Sequence, residues 1–359
     1  MTTRYFLFIW LTGILLIPSA AKSQGSYNND IKQAAIKLVN SFDKMQHISG
    51  VLSFSDTARL KWNNLPVGLR ARAGTSIGNM SVTQRKLLHR ILSVSLSSQG
   101  YLKATSIMHL DDLLNRYYDS LHYKKEMNDT MYGFMQALKW SHKNFYFAFF
   151  GEPTDNTWGY KLEGHHLSIN FTFVKDKLSV TPFFVGTDPA EYPTTEYSGW
   201  RVLGQEEDLG IKLIHLLSLA QQQKATMSTA VPGDIITAAE SGKRLVDNWG
   251  LLGSAMTKEQ QATMQYMIRE FVFNLEYDKA MIEYNKIIAA GIGKIHFGWI
   301  GSYDEAKPHY YVLNGPTFLI EFDNNGFEGN ANHIHAIWRE KGNEYGEDVL
   351  KKHYQSEEH

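Results

Sequence analysis

The chain has 359 residues, 36 basic and 37 acidic, and its net charge of −1 leaves no electrostatic footprint for nucleic acid or an anionic membrane surface. Hydrophobic residues at 43% suffice for a substantial core. With no cysteine, disulfides, thiolate metal sites, iron–sulfur clusters and cysteine nucleophiles are excluded, so any metal must be held by His, Asp, Glu or backbone oxygen.

The N-terminus has the form of a secretory signal. Arg4 supplies the positive charge, Tyr5 to Ile17 form an apolar run, Pro18 breaks it, and Ser19, Ala20, Ala21 and Ser23 are small. The expectation is a leader over residues 1–23, cut after Ser23, and a periplasmic or secreted domain over 24–359. The run is short for a membrane span, so no membrane attachment is expected after cleavage.

Asp30 to Asp43 carries Ile31, Ala34, Ala35, Leu38, Val39 and Phe42 at helical spacing. Ser81, with Gln84 three residues on, is a capping box opening a helix that runs to Ser97. Asp111 to Tyr123 adds a third helix, so the N-terminal third reads as mostly helical. Phe145 to Phe150 then reads as a buried strand, and His166 to Val174 alternates cleanly, with Leu178 to Val185 as its hairpin partner. Helices are expected over Glu206 to Gln222, Thr257 to Tyr277 and Asp278 to Ala290. Strands follow at Lys294 to Ile300, His309 to Leu313, Thr317 to Phe322 and His333 to Trp338, with a closing helix near Glu347 to Tyr354. The fold class is α+β, a mainly antiparallel sheet with helices packed around it, and no internal repeat is evident.

Period-two geometry selects the chemistry. His333 and His335 lie two apart on a strand, so both imidazoles leave one face. His166 opens the polar face of its own strand, and Glu321 lies on a polar face with Asp323 following. Together they form a nitrogen and carboxylate set suited to a divalent ion, whether zinc, iron, copper or manganese. On this reading His166, His333, His335 and Glu321 are ligands and Glu321 doubles as general base, while His309, Arg339 and Tyr311 orient a small-molecule substrate. His165 and His296 stand beside the set as further candidates. Arg59, Trp62, Arg70 and Arg72 read as a solvated turn or an anion-binding patch. No nucleotide-binding glycine motif, nucleophile elbow or His-Glu-x-x-His helix occurs, so no nucleotide cofactor is expected.

Several motifs resemble the domain-of-unknown-function 3500 family. They are Trp62-Asn63-Asn64-Leu65-Pro66, Trp158-Gly159, Gly164-His165-His166-Leu167, Thr181-Pro182-Phe183-Phe184 and Gly186-Thr187-Asp188-Pro189-Ala190. His309-Tyr310-Tyr311, Gly315-Pro316-Thr317, Glu321-Phe322-Asp323-Asn324, His333-Ile334-His335 and Trp338-Arg339 continue the likeness. It implies a single full-length domain and brings no settled activity. Three functions fit the residues: a metal-dependent hydrolytic or oxidative enzyme, a metal-free acid–base enzyme with Glu321 or Asp323 orienting a histidine, or a saccharide-binding protein stacking on Trp158, Trp299 and Trp338. The oligomeric state is not legible.

Overall fold

The computed structural model describes residues 24–239, 245, 248–326 and 329–356, so the expected leader lies outside the described residues. In its first half the chain runs through α1 (Gln24–Val39), α2 (Lys44–Gly50), β1 (Val51–Leu52), β2 (Thr75–Ser76), α3 (Val82–Ser95), α4 (Ser98–Tyr123) and α5 (Asp129–Ala137). Then come β3 (Tyr146–Phe150), β4 (Thr157–Gly164), β5 (Leu167–Val174), β6 (Lys177–Ser179) and β7 (Phe183–Thr187). The second half holds α6 (Gly204–Leu216), α7 (Leu219–Ala225), β8 (Thr226–Ser228), β9 (Leu251–Leu252), α8 (Lys258–Val272) and α9 (Tyr277–Gly291). It closes with β10 (His296–Gly301), β11 (His309–Asn314), β12 (Phe318–Asn324), β13 (Ile334–Glu340) and α10 (Glu347–Ser356). No helix among the described residues is long and apolar enough to cross a membrane.

The fold is α+β, and its sheet is mixed where a mainly antiparallel one was expected. β1 runs parallel to β3 and β8 parallel to β10, while the pairings that lead from β3 through to β10 are antiparallel. The N-terminal third is only partly helical. Residues 51–80 form short strands, bends and 3-10 turns, because Pro66, Gly68 and Gly74 break any helical period there. Glu206 to Gln222 divides into α6 and α7, since the Ser218 hydroxyl accepts from the backbone of Gln221 and starts a new helix. Leu178 to Val185 divides into β6 and β7 around Pro182, which has no N–H for a ladder.

The strand order is β1-β3-β4-β5-β7-β13-β12-β11-β10-β8, the same path read inward from either edge, with β2 on β3 and β9 on β10 in matching places. Local chemistry repeats with it. Ser81 and Thr257 cap α3 and α8 in boxes closed by Gln84 and Gln260. Gln84 also donates to Gln46 and to the Ser41 carbonyl; Gln260 donates to Gln221 and to the Leu216 carbonyl. Gln46 and Gln221 in turn close the boxes of α2 and α7. The Gly186 N–H donates to the His166 carbonyl at 2.7 Å, and the Lys341 N–H donates to that of Thr317 at 2.9 Å. The chain is therefore a pseudo-two-fold repeat, which corrects the expectation of none. The match lies in caps and pairings, not in a run of like residues, so it leaves little trace in the sequence.

The two halves join where β7 pairs with β13. One face of the sheet is covered by α1, α3, α4, α6, α8 and α9, whose buried residues share a core with Ile334, Ala336 and Trp338. The reverse face carries His335 and Ile337 of β13 and Phe184 of β7. Two long loops lie over it. Trp62, from the loop after β1, packs against Phe184 with ring centroids 4.8 Å apart and planes tilted by 33°, and Ile235, from the loop after β8, joins that cluster.

The matched glutamines give a test of the repeat. Gln84→Ala and Gln260→Ala each remove a buried amide that bridges a cap to a neighbouring helix, and each should cost about 1–3 kcal/mol in urea unfolding. Losses of clearly different size would argue against equivalent roles.

Candidate functional site

Three histidines converge at the open end of the central pairing. β13 is preceded by His333, and the strand's alternation places His335 on the loop-covered face beside it. His165 and His166 form the tight turn between β4 and β5, with His166 in the left-handed region at φ 59°. The turn explains a departure from expectation: on a strand the two rings would point to opposite faces. Here both are buried and stack at 3.8 Å.

The Nε2 atoms of His166 and His333 lie 2.9 Å apart, and those of His333 and His335 lie 3.1 Å apart. A neutral imidazole offers one N–H and one lone pair, so a central Nε2 facing two others satisfies one and opposes the second. A cation taking all three lone pairs removes that conflict. Zinc–nitrogen bonds of about 2.0–2.1 Å at tetrahedral angles would set ligand atoms about 3.3 Å apart, close to the spacing present.

The other ring nitrogens meet carboxylates. His335 Nδ1 lies 2.8 Å from Asp234 Oδ1, which fixes the proton there and turns the Nε2 lone pair inward. His333 Nδ1 is 3.9 Å from Asp188 Oδ2. His165 Nδ1 is 2.6 Å from Asp111 Oδ1, a buried pair between the turn and α4. Asn64 holds the cluster through its backbone: its carbonyl accepts from the His166 N–H at 3.1 Å, and its amide reaches His335 Nε2 at 3.4 Å. Gly186 makes room, since a Cβ there would lie 2.6 Å from the Ile334 carbonyl oxygen, 3.1 Å from the His166 ring and 3.2 Å from the His335 ring.

Burial, reinforced by neighbouring imidazoles, pushes His166 and His333 well below the ordinary histidine value, so both rings are neutral. Burial also pulls His335 down, but the hydrogen bond and charge of Asp234, aided by Asp323 and Asp188, outweigh it and leave His335 raised. Asp323 is pushed up to about 7 by burial, against the pull of His335. Asp188 is raised to about 6 for the same first reason.

Other candidates lie elsewhere. Glu321 does not join the cluster, because its oxygens accept from the backbone of Ile236 at 2.7 Å, from Tyr310 at 2.9 Å and from the backbone and hydroxyl of Thr237. Arg339 donates to the Thr237 hydroxyl, the Thr237 carbonyl and Glu344, so it pins the same loop. His309 stacks on Trp299 and donates from Nδ1 to the Lys307 carbonyl, while Tyr311 donates to the Glu206 carbonyl. Both are buried away from solvent. His296 lines an open surface cleft with Lys294, Pro316 and Lys341. Arg59 and Arg72 spend their donors on backbone carbonyls, and Arg72 also meets Glu163 at 3.3 Å, which leaves no anion patch of this pair. Trp158, Trp299 and Trp338 belong to the helix-covered core and present no ring to a ligand.

Sequence reasoning missed Asp111, Asp188, Asp234 and Asn64. Asp111 carried a signal: it stands in phase with buried Ile107, Met108 and Leu114, where a helix wants an apolar side chain. Asp188 and Asn64 sat inside motifs already singled out, and Asp234 had no signal at all.

The DUF3500 family, described as protein of unknown function, matches residues 24–347, and the chain belongs to it. No curated protein and no solved structure matches the chain.

Two substitutions probe the geometry. Gly186→Ala should destabilise by about 1–3 kcal/mol through overpacking and displace both rings; unchanged stability and unchanged histidine NMR shifts would contradict the crowding. Asp323→Asn concerns pH. A buried acid raised to about 7 is neutral in the fold at low pH, and its contribution is lost as pH rises from about 4 through 7. In chelator, the variant should therefore be more stable than the parent at pH 8 and equal to it near pH 4, by urea unfolding.

Proposed function

We propose that this DUF3500 member is an exported metal-dependent enzyme acting on a small molecule, with a divalent ion held by the Nε2 atoms of His166, His333 and His335. The convergence of three buried imidazole nitrogens, two pairs of them at 2.9 and 3.1 Å and all three within 4.8 Å of one another, carries the reading. The Asp234 carboxylate on His335 supports it, being the outer partner that ligating histidines ordinarily have. A bound ion of this kind lowers the pKa of a coordinated water towards neutrality. On this reading the His165–Asp111 pair, stacked against His166, serves as the proton acceptor, with Asp111 holding the imidazole by its Nδ1. Three histidines with Glu321 engaged elsewhere favour hydrolysis over the oxygen chemistry of a two-histidine, one-carboxylate iron site.

Export is part of the proposal, and the family match beginning at residue 24, directly after the expected cleavage, supports it. A second reading, metal-free acid–base catalysis, has one observation in its favour: the 2.6 Å His165–Asp111 contact needs no ion. The saccharide-binding reading loses its support with the burial of its three tryptophans.

Elemental analysis decides between the first two. Protein purified without chelator should hold at least one equivalent of a divalent metal. Re-adding the ion to stripped protein at a hundredfold excess over Kd should stabilise it by about 2.7 kcal/mol. His333→Ala should lose both effects. Affinity should also fall with pH as His335, whose value is raised, takes a proton and ceases to be a ligand. Metal-free protein with an unmoved Tm would end the reading.

A further inference from the structure

We infer that the protein holds a second divalent cation between Asp234, Asp323 and Nδ1 of His335, so that the His335 imidazole bridges two ions. The inference rests on the proposal that the three Nε2 atoms hold the first.

One oxygen from each aspartate and a ring nitrogen of His335 lie within 4.8 Å of one another. Nδ1 is 2.8 Å from Asp234 Oδ1 and 4.0 Å from Asp323 Oδ1. To orient a ligating imidazole, one carboxylate on the outer nitrogen is enough. Asp323 is therefore surplus to that task, and burying a surplus carboxylate is costly. It is only 2% exposed. Its Oδ1 accepts from the His335 backbone N–H at 3.1 Å, but its Oδ2 has no hydrogen-bond partner among the described residues.

Charge points the same way. Among the described residues, His335 is the one ion-pair partner of either Asp234 or Asp323. With a neutral ring and both aspartates ionised, the pocket would hold two negative charges and no counter-charge, which a divalent ion balances. Two carboxylate oxygens and one imidazole nitrogen form a set that zinc, manganese and iron accept. Strand pairing fixes the set: His335 and Asp323 are register partners across β13 and β12, so their side chains leave the same face. Asp234 comes down from the loop after β8, and Asn64, from the loop after β1, donates to its Oδ2 at 3.4 Å.

The proton balance is simple. In the absence of the second ion, Nδ1 carries hydrogen and donates to Asp234. Binding the second ion displaces that proton to buffer, and the ring then gives one lone pair to each metal.

Stripped full-length protein, reloaded with excess Zn²⁺ and desalted, should carry two zinc per chain by mass spectrometric elemental analysis. Asp323→Asn and Asp234→Asn should each carry one, with near-UV circular dichroism confirming that they fold. One zinc in the parent overturns the second site and leaves the first intact, and none overturns both. Two zinc in the parent and still two in both variants also overturns the assignment. Reloading with Cu²⁺ tests the bridge itself: coupled spins should make the parent's paramagnetic resonance signal integrate to well under its copper content, while Asp323→Asn should integrate fully. Full intensity from a two-copper parent would refute bridging by His335.

Discussion

The pairing of β7 with β13 is the contact on which the rest of the molecule turns. It closes two half-sheets into one, and it sets His335 directly opposite Gly186. A residue with a side chain at that register would stand between two imidazoles, whereas glycine lets the ring of His166 approach that of His335. The backbone does a second job at the same place, since the Gly186 N–H holds the His165–His166 turn through the His166 carbonyl. Sheet continuity and imidazole convergence are thus consequences of one register, and a slip of one residue would send His335 to the helix-covered face.

Much of this was legible from alternation. The spacing of His333 and His335 gave their common face correctly, because β13 is a regular strand with Ile334, Ala336 and Trp338 turned to the core. The capping box at Ser81 gave the start of α3 to the residue. Alternation misled wherever a strand had already ended. On a strand His165 and His166 would leave opposite faces, but they make a turn, and turn geometry lets their rings stack. Glu321 was placed by the right parity and given the wrong partners, since parity says which face a side chain leaves and nothing of which loop lands on it. Asp234 and Asn64 come from such loops, and their arrival depends on chain closure over long distances. Local pattern contains no record of that.

The loop-covered face divides its polar groups by task. Glu321, Arg339, Thr237 and Tyr310 saturate one another and anchor the loop after β8. Asp234, a few residues earlier in the same loop, is thereby delivered to His335. The buried glutamate is a structural clamp whose satisfied oxygens explain how it tolerates full burial. Asp323, beside the histidines on the same face, is less completely satisfied, since its Oδ2 has no hydrogen-bond partner among the described residues.

The pseudo-two-fold arrangement bears on descent. The turn matching Gly164-His165-His166 is Gly315-Pro316-Thr317, and the residue matching Gly186 is Lys341, whose ammonium donates to Asn314 and to the Gly315 carbonyl. Such a chain is what fusion of two copies of a half-length homodimer would leave. An ancestor of that kind would have carried two identical centres related by its dyad. Joining the copies would free each half to vary alone, so that one turn carries His165 and His166 while its counterpart carries Pro316 and Thr317 beside an open cleft that Lys341 lines.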